Sequence, residues 1–171
     1  LIEFLAKGVI ARTVDDVAFA LSCVTGPDER DPRTWPSDPS VFRQFAPHSV
    51  MGRRVAWCPD LGGLPLDPRV RAVLEPHRRT FEAICGAGCV ADAAPDLRDA
   101  DDVFLTLRTW MSAQTLGPLL DQHRELMKPE AIWQIEQGRR VTADGLAHAM
   151  QAHGRLLDRM REFFDRYEFI A

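Results

Sequence analysis

Lysine is almost missing from this chain: only Lys7 and Lys128 occur in 171 residues. Arginine carries nearly all the positive charge, and 21 basic against 25 acidic residues leave a formal charge of −4. The basic pairs Arg53-Arg54, Arg78-Arg79 and Arg139-Arg140 have acidic neighbours and read as solvated faces. A nucleic-acid binder gathers Lys and Arg on one face, so this balance argues against a nucleic-acid partner. No apolar run approaches the roughly 20 residues of a membrane span, and no signal-peptide pattern opens the chain, so no membrane partner and a cytoplasmic location are expected. Cysteine is sparse too. Cys23, Cys58, Cys85 and Cys89 lie in apolar or strand-like settings. Cys85-x3-Cys89 suggests a metal clip or a disulfide, but zinc needs two further ligands and His77 is the one nearby candidate. Buried free thiols are the better reading, and no metal or organic cofactor is expected. Internal repeats and low-complexity tracts are also lacking.

What is present describes a globular protein: 46% hydrophobic and 27% charged residues, enough for one core and too few for two comfortable domains. The chain is organised around Gly8-Val9-Ile10-Ala11-Arg12-Thr13-Val14-Asp15-Asp16. Gly8 to Ala11 read as a short buried strand, with β-branched Val9 and Ile10. Thr13 stands three residues before Asp16, the pattern of a capping box. Val14, Val17, Ala18, Leu21 and Val24 follow at helical spacing as one apolar face, and Gly26-Pro27 closes the helix.

Residues 26–52 form a proline-rich loop, for which Trp35, Phe42 and Phe45 are the expected anchors. Over residues 53–94 the pattern is strand, helix, strand. Residues 54–58 are a buried strand and Pro59-Asp60-Leu61-Gly62-Gly63 its exit loop. Asp67-Pro68 starts a helix with apolar face Val70, Val73, Leu74, Phe81 and Ile84. Pro76 predicts a kink, Gly86 and Gly88 end the helix, and Cys89-Val90-Ala91 starts the second strand. Such a unit places its strands parallel. Residues 99–167 are helical. The first helix carries Val103, Leu107, Trp110, Met111 and Gln114 near one face and should break at Gly117-Pro118. A second spans about residues 129–138 with Ile132, Trp133 and Ile135. The third carries a stripe of Leu146, Met150, His153, Leu157, Met160, Phe164 and Tyr167. Residues 168–171 read as a strand cut short, and 1–25 as the strand and capped helix of one incomplete domain covering 1–171.

The stretch 8–16, followed by Gly26-Pro27-Asp28-Glu29-Arg30-Asp31-Pro32, resembles the segment just downstream of the catalytic core in amidase signature hydrolases. Many members have Gly-Pro where this chain has Gly8-Val9. Arg54-Val55-Ala56-Trp57-Cys58-Pro59-Asp60-Leu61-Gly62-Gly63-Leu64 and Phe163-Phe164-Asp165-Arg166-Tyr167-Glu168-Phe169-Ile170 support the likeness. The resemblance implies an α/β fold, helices packed on a mixed β-sheet, as part of the amidase-signature architecture. It also implies hydrolysis of a small-molecule amide to carboxylate and amine or ammonia. A serine is the nucleophile, activated by a second serine and a lysine, with backbone amides binding the oxyanion.

Those parts are not found here. Serine occurs at Ser22, Ser37, Ser40, Ser49 and Ser112, none in a Gly-Ser-Ser setting, and Lys7 does not match the family lysine. In the family these residues precede the segment resembling 8–16. No catalytic residue is therefore assigned, and the remainder of an amidase polypeptide is the expected partner, with a homodimer possible. Both ends of the chain fall inside apolar segments, which reads as part of a longer protein, silent alone. The one stretch suited to a substrate pocket is Trp110, Met111 and Gln114, an aromatic, a thioether and an amide on one helix. His148 and His153 are five apart, about 140° around a helix, and do not share a metal-binding face. His153 suits a hydrogen-bonded core position, and Asp15-Asp16 and Asp101-Asp102 suit helix starts better than acid/base chemistry. Two other readings stand beside the enzyme: a non-catalytic amidase-like subunit, and a helical interaction module docking through residues 146–167.

Overall fold

Thr13 opens the first helix as its spacing requires, in a computed structural model that describes residues 8–30, 34, 36–43 and 49–171. The chain divides into two compact units, Leu1–Ser49 and Val50–Ala171. In the first, helix α1 (Val14–Val24) is capped by Thr13, whose hydroxyl accepts the Asp16 N–H at 3.1 Å. Asp15 and Asp16 complement the dipole in the first turn. The expected apolar face is only partly used: Ala18 is buried with Ser22, while Val14 and Val24 are exposed. Residues 8–11 do not form the expected strand, and Ile10 is fully exposed. A strand exists through a ladder to a neighbour, and no described segment pairs with this one; β-branched residues alone cannot supply it.

The proline-rich stretch holds one 3-10 turn, Pro39–Phe42, capped by Asp38, which accepts from the Ser40 amide at 2.8 Å and its hydroxyl at 2.7 Å. Phe42 is half-buried there. The other two expected anchors, Trp35 and Phe45, lie outside the described residues, as does Lys7.

The second unit is built on three strands, β1 (Val55–Trp57), β2 (Val90–Asp92) and β3 (Phe169–Ile170), ordered β2-β1-β3. Val55 pairs with Val90 on one side and with Phe169 on the other, both in parallel. The mixed sheet expected from the sequence shows only parallel pairs among the described residues. Between β1 and β2 run α2 (Pro68–Leu74) and α3 (Arg78–Cys85), joined by a 3-10 turn, Glu75–His77, where Pro76 forces the expected kink. Asp67 caps α2 through the Arg69 N–H at 2.8 Å, and Gly86, at φ +103°, ends α3. Val55, Trp57, Cys85 and Val90 form the core here, with Leu74 and Phe81 packed on it. Val70, Val73 and Ile84, expected on the same apolar face, are exposed. A short helix over a three-residue strand cannot cover its whole stripe.

Helices α4 (Ala100–His123), α5 (Pro129–Arg139) and α6 (Ala143–Phe164) follow. The expected break at Gly117-Pro118 does not occur; α4 runs through Pro118 to His123. Packing overrides the lost N–H: Leu120 and Ala113 form a core with wholly buried Ile135, and Arg139 of α5 donates to the Gly117 carbonyl at 3.2 Å and to Asp121. The stripe expected on α6 is rotated. Ala149 and Phe163 are its buried residues, whereas Met150, Leu157 and Phe164 are exposed. Trp133 of α5 is likewise half exposed.

Candidate functional site

The carboxyl ends of neighbouring parallel strands are where open α/β sheets bind ligands. Here β1 delivers Trp57 and Cys58 to such an edge, and β2 delivers Asp92 beside them. Trp57 is 5% exposed and packs on Phe81 with ring centroids 5.9 Å apart. Cys58 is buried, and its N–H donates to the Ala171 carbonyl at 2.8 Å, which extends the β1–β3 ladder by one step. Burial pushes the Cys58 thiol above its ordinary pKa, against the backbone hydrogen bonds that Leu61 and Gly62 offer it. A thiol held protonated in this way is a packing group rather than a nucleophile.

The exit loop after β1 turns back on itself around Asp60. One carboxylate oxygen accepts the Gly62 and Gly63 amides at 3.1 and 3.2 Å, and the other accepts from Arg71 of α2 at 3.2 Å. These backbone donors, with Arg71, hold the Asp60 carboxyl below the usual carboxylate range. Leu61, at φ +52°, is a non-glycine residue in the left-handed region, a strained conformation that persists only where its surroundings impose it. Gly62 follows at φ +90°, and a Cβ there would press on Ala94 at 3.0 Å, so this loop packs directly on the segment leaving β2.

Between the two exits lies a cleft of about 580 Å³, with Trp57 and Cys58 on its floor and Asp60, Arg71, Arg78 and Asp92 on its walls. Arg78 donates to Asp92 at 2.5 Å and to Glu82 at 3.1 Å, which raises the guanidinium further above its ordinary pKa, Asp92 contributing most. Exposed Glu75 also lines the cleft, with Pro59, Ala93 and Ala94. Reading the sequence alone passes over this site, because Arg71, Glu75 and Arg78 look like the wet face of an amphipathic helix. The available signal was the exit loop of a strand within a βαβ pattern.

The three residues singled out from the sequence lie elsewhere. On α4, Val103, Leu107, Ser112, Ala113 and Leu120 turn inward. That leaves Trp110 and Met111 half-buried on its flank and Gln114 exposed. The cleft between β1 and β2 does not bring them together. His148 lines a smaller hollow of about 240 Å³ with Asp99, Asp102 and Arg155, and His153 is half-buried. Among the described residues no group of three or more His, Cys, Asp or Glu side chains is placed to hold a metal ion. All four cysteines are free, and Cys23, expected in an apolar setting, is exposed on α1. Several serines have structural occupations. Ser22 donates to the Phe19 carbonyl at 2.6 Å, Ser40 to Asp38, and buried Ser112 lies 3.4 Å from Gln134. No helix among the described residues is long and apolar enough to cross a membrane.

A family model described as Amidase matches residues 3–171. An acylamidase of Rhodococcus erythropolis is 38% identical over 77 residues, which is 45% of this chain and 16% of that protein. The crystal structure of a bacterial aryl acylamidase of the amidase signature family shares the fold, with a TM-score of 0.76 at 18% identity. That match covers 94% of this chain and 34% of the other, so the chain spans about a third of its solved relative.

Proposed function

This chain belongs to the amidase family, and from that premise we propose that the protein carrying it hydrolyses an acyl amide to a carboxylate and an amine or ammonia. The observation that carries this reading is the family match across residues 3–171, supported by the likeness to an acylamidase. In the proposed reaction a serine oxygen attacks the amide carbonyl and the leaving nitrogen departs with a proton. Water then cleaves the acyl ester and restores the serine. We place that serine, its partner serine and the lysine outside residues 1–171. Ser22, Ser40 and Ser112 are engaged in helix or turn contacts, and Lys128 stands at the start of α5. Within this scheme the chain is an incomplete domain: it supplies the scaffold beside the nucleophile, and Trp110, Met111 and Gln114 form a wall of the acyl pocket.

The test uses the full-length protein with acetanilide and aliphatic acyl amides, followed by fluorophosphonate labelling and peptide mapping. Release of amine with the label on a serine outside residues 1–171 is the expected result. A label on Ser22, Ser40 or Ser112 would overturn the placement, and no turnover across the panel would overturn the activity.

A further inference from the structure

Both strands that border the cleft lead into a strained turn. Among the described residues, Leu61 and Asp99 are the non-glycine residues in the left-handed region, at φ +52° and +69°. Such conformations persist where their surroundings impose them, and they gather at clamps and switches. Leu61 lies in the loop leaving β1. Asp99 ends the segment leaving β2, residues 93–99, whose Ala93 and Ala94 wall the cleft. At its start Ala93 donates to the Trp57 carbonyl at 3.4 Å, and Pro95 is buried. Its far end is held from α6. The Arg159 side chain, 18% exposed, donates to the Asp96 carbonyl at 3.0 Å, to the Arg98 carbonyl, and to the Asp99 carboxylate at 3.4 Å. One planar guanidinium thus gathers two carbonyls and a carboxylate around the turn that leaves Asp99 left-handed. Asp99 itself is exposed and borders the hollow of about 240 Å³, so polar contacts rather than packing fix this end. The other end reaches the cleft floor. A Cβ at Gly62 would stand 3.0 Å from Ala94, and the backbone of Leu61 and Gly62 hydrogen-bonds the buried Cys58 thiol.

We propose that residues 93–99 are the movable wall of this cleft, a strap hinged at Asp99 and latched shut from α6 by Arg159. Releasing the latch relaxes the turn, withdraws Ala94 from Gly62 and uncovers Cys58, while the β1–β2 ladder stays paired. Hydrogen bonds to a charged group are strong, but these three end on one side chain and are lost together. Access to the cleft is in this way set from the helical layer, by a residue that does not line it.

The test measures hydrogen exchange and thiol labelling in the full-length protein, with the labelled cysteines located by peptide mapping. Arg159→Gln should speed amide exchange over residues 94–100 and labelling of Cys58 about tenfold or more. Cys85, buried in the β1–β2 core and outside the cleft lining, should label at its unaltered rate. Equal acceleration of Cys85 would mean general loosening and would overturn the proposal, as would unchanged labelling of Cys58. The hinge is tested by Asp99→Ala against Asp99→Gly, since both remove the carboxylate and only glycine enters the left-handed region freely. Cys58 should label about fivefold faster or more in Asp99→Ala than in Asp99→Gly; equal rates would show that the turn is not a strained hinge and sink the idea. If Arg159→Gln does not fold, Arg159→Lys decides. A compact ammonium cannot span all three acceptors, so Cys58 labelling at the unaltered rate would count against the latch. None of these readouts depends on amide hydrolysis.

Discussion

The βαβ unit and the helical layer of α4, α5 and α6 use similar residues under different rules. In β1 every side chain is buried: Val55, Ala56 and Trp57 are 5% exposed or less. A strand covered on both faces needs no choice of face, and its apolar run reads directly as core. Its flanks are fixed by single residues acting locally, Asp67 with Pro68 at one helix start and Gly86 at the other helix end. A helix, in contrast, offers two or three adjacent apolar stripes, and its neighbour selects among them. On α6 the selected face is marked by small Ala149 and by Phe163, while large Met150 and Leu157 point outward. Close approach, rather than bulk, decides the helical layer.

The sharpest way to break that contrast is to add one carbon. Gly138 of α5 meets the Thr109 carbonyl of α4 so closely that a Cβ would fall on the oxygen, whereas a Cβ at Gly154 of α6 meets nothing within 4 Å. Gly138→Ala should therefore cost about 3 kcal/mol or more, since neighbouring backbone cannot give way. Gly154→Ala should stabilise by about 0.5–1 kcal/mol through the unfolded chain. Urea unfolding of the two variants measures both, and equal signs would mean that the α4–α5 approach is not tight.

A smaller effect belongs to the sheet. Glu168 accepts from the Arg54 amide at 2.7 Å and from Arg53 at 2.9 Å, and these donors hold its carboxyl below the ordinary glutamate range. Because the folded value is depressed, this stabilisation is present above the ordinary value near 4.5 and is lost as pH falls through the folded one. Thermal unfolding followed from about pH 6 down to about pH 3 should show a shallower acid-side loss in Glu168→Gln than in the unaltered protein. An identical profile would detach Glu168 from β1. The smallest effect is expected from Leu157→Gln: 56% exposed, it should move stability by less than about 0.5 kcal/mol. A larger loss would show that the outward stripe of α6 is covered.

Legibility follows the same division. The capped α1, the Asp67-Pro68 start, the kink at Pro76 and the final strand were readable because each depends on a few adjacent residues. The strand expected at 8–11 was not, since a ladder requires a partner that local letters do not specify. The break expected at Pro118 failed because Arg139 and Ile135, some 20 residues on, hold α4 together past it. Nor was the cleft legible as a site. Asp60, Arg71, Arg78 and Asp92 come from separate elements, and only the parallel pairing of β1 with β2 assembles them.

The clasp of Glu168 on Arg54 joins residues 114 apart in sequence, while Val55 and Val90 pair across one short crossover. Loop closure costs more entropy as the loop lengthens, and contacts that close long loops reward the chain last. The expected order of assembly is therefore β1 with β2 first and β3 afterwards. Pulsed hydrogen exchange during refolding reads that order directly, and protection of the Ala171 amide before that of Val55 would reverse it.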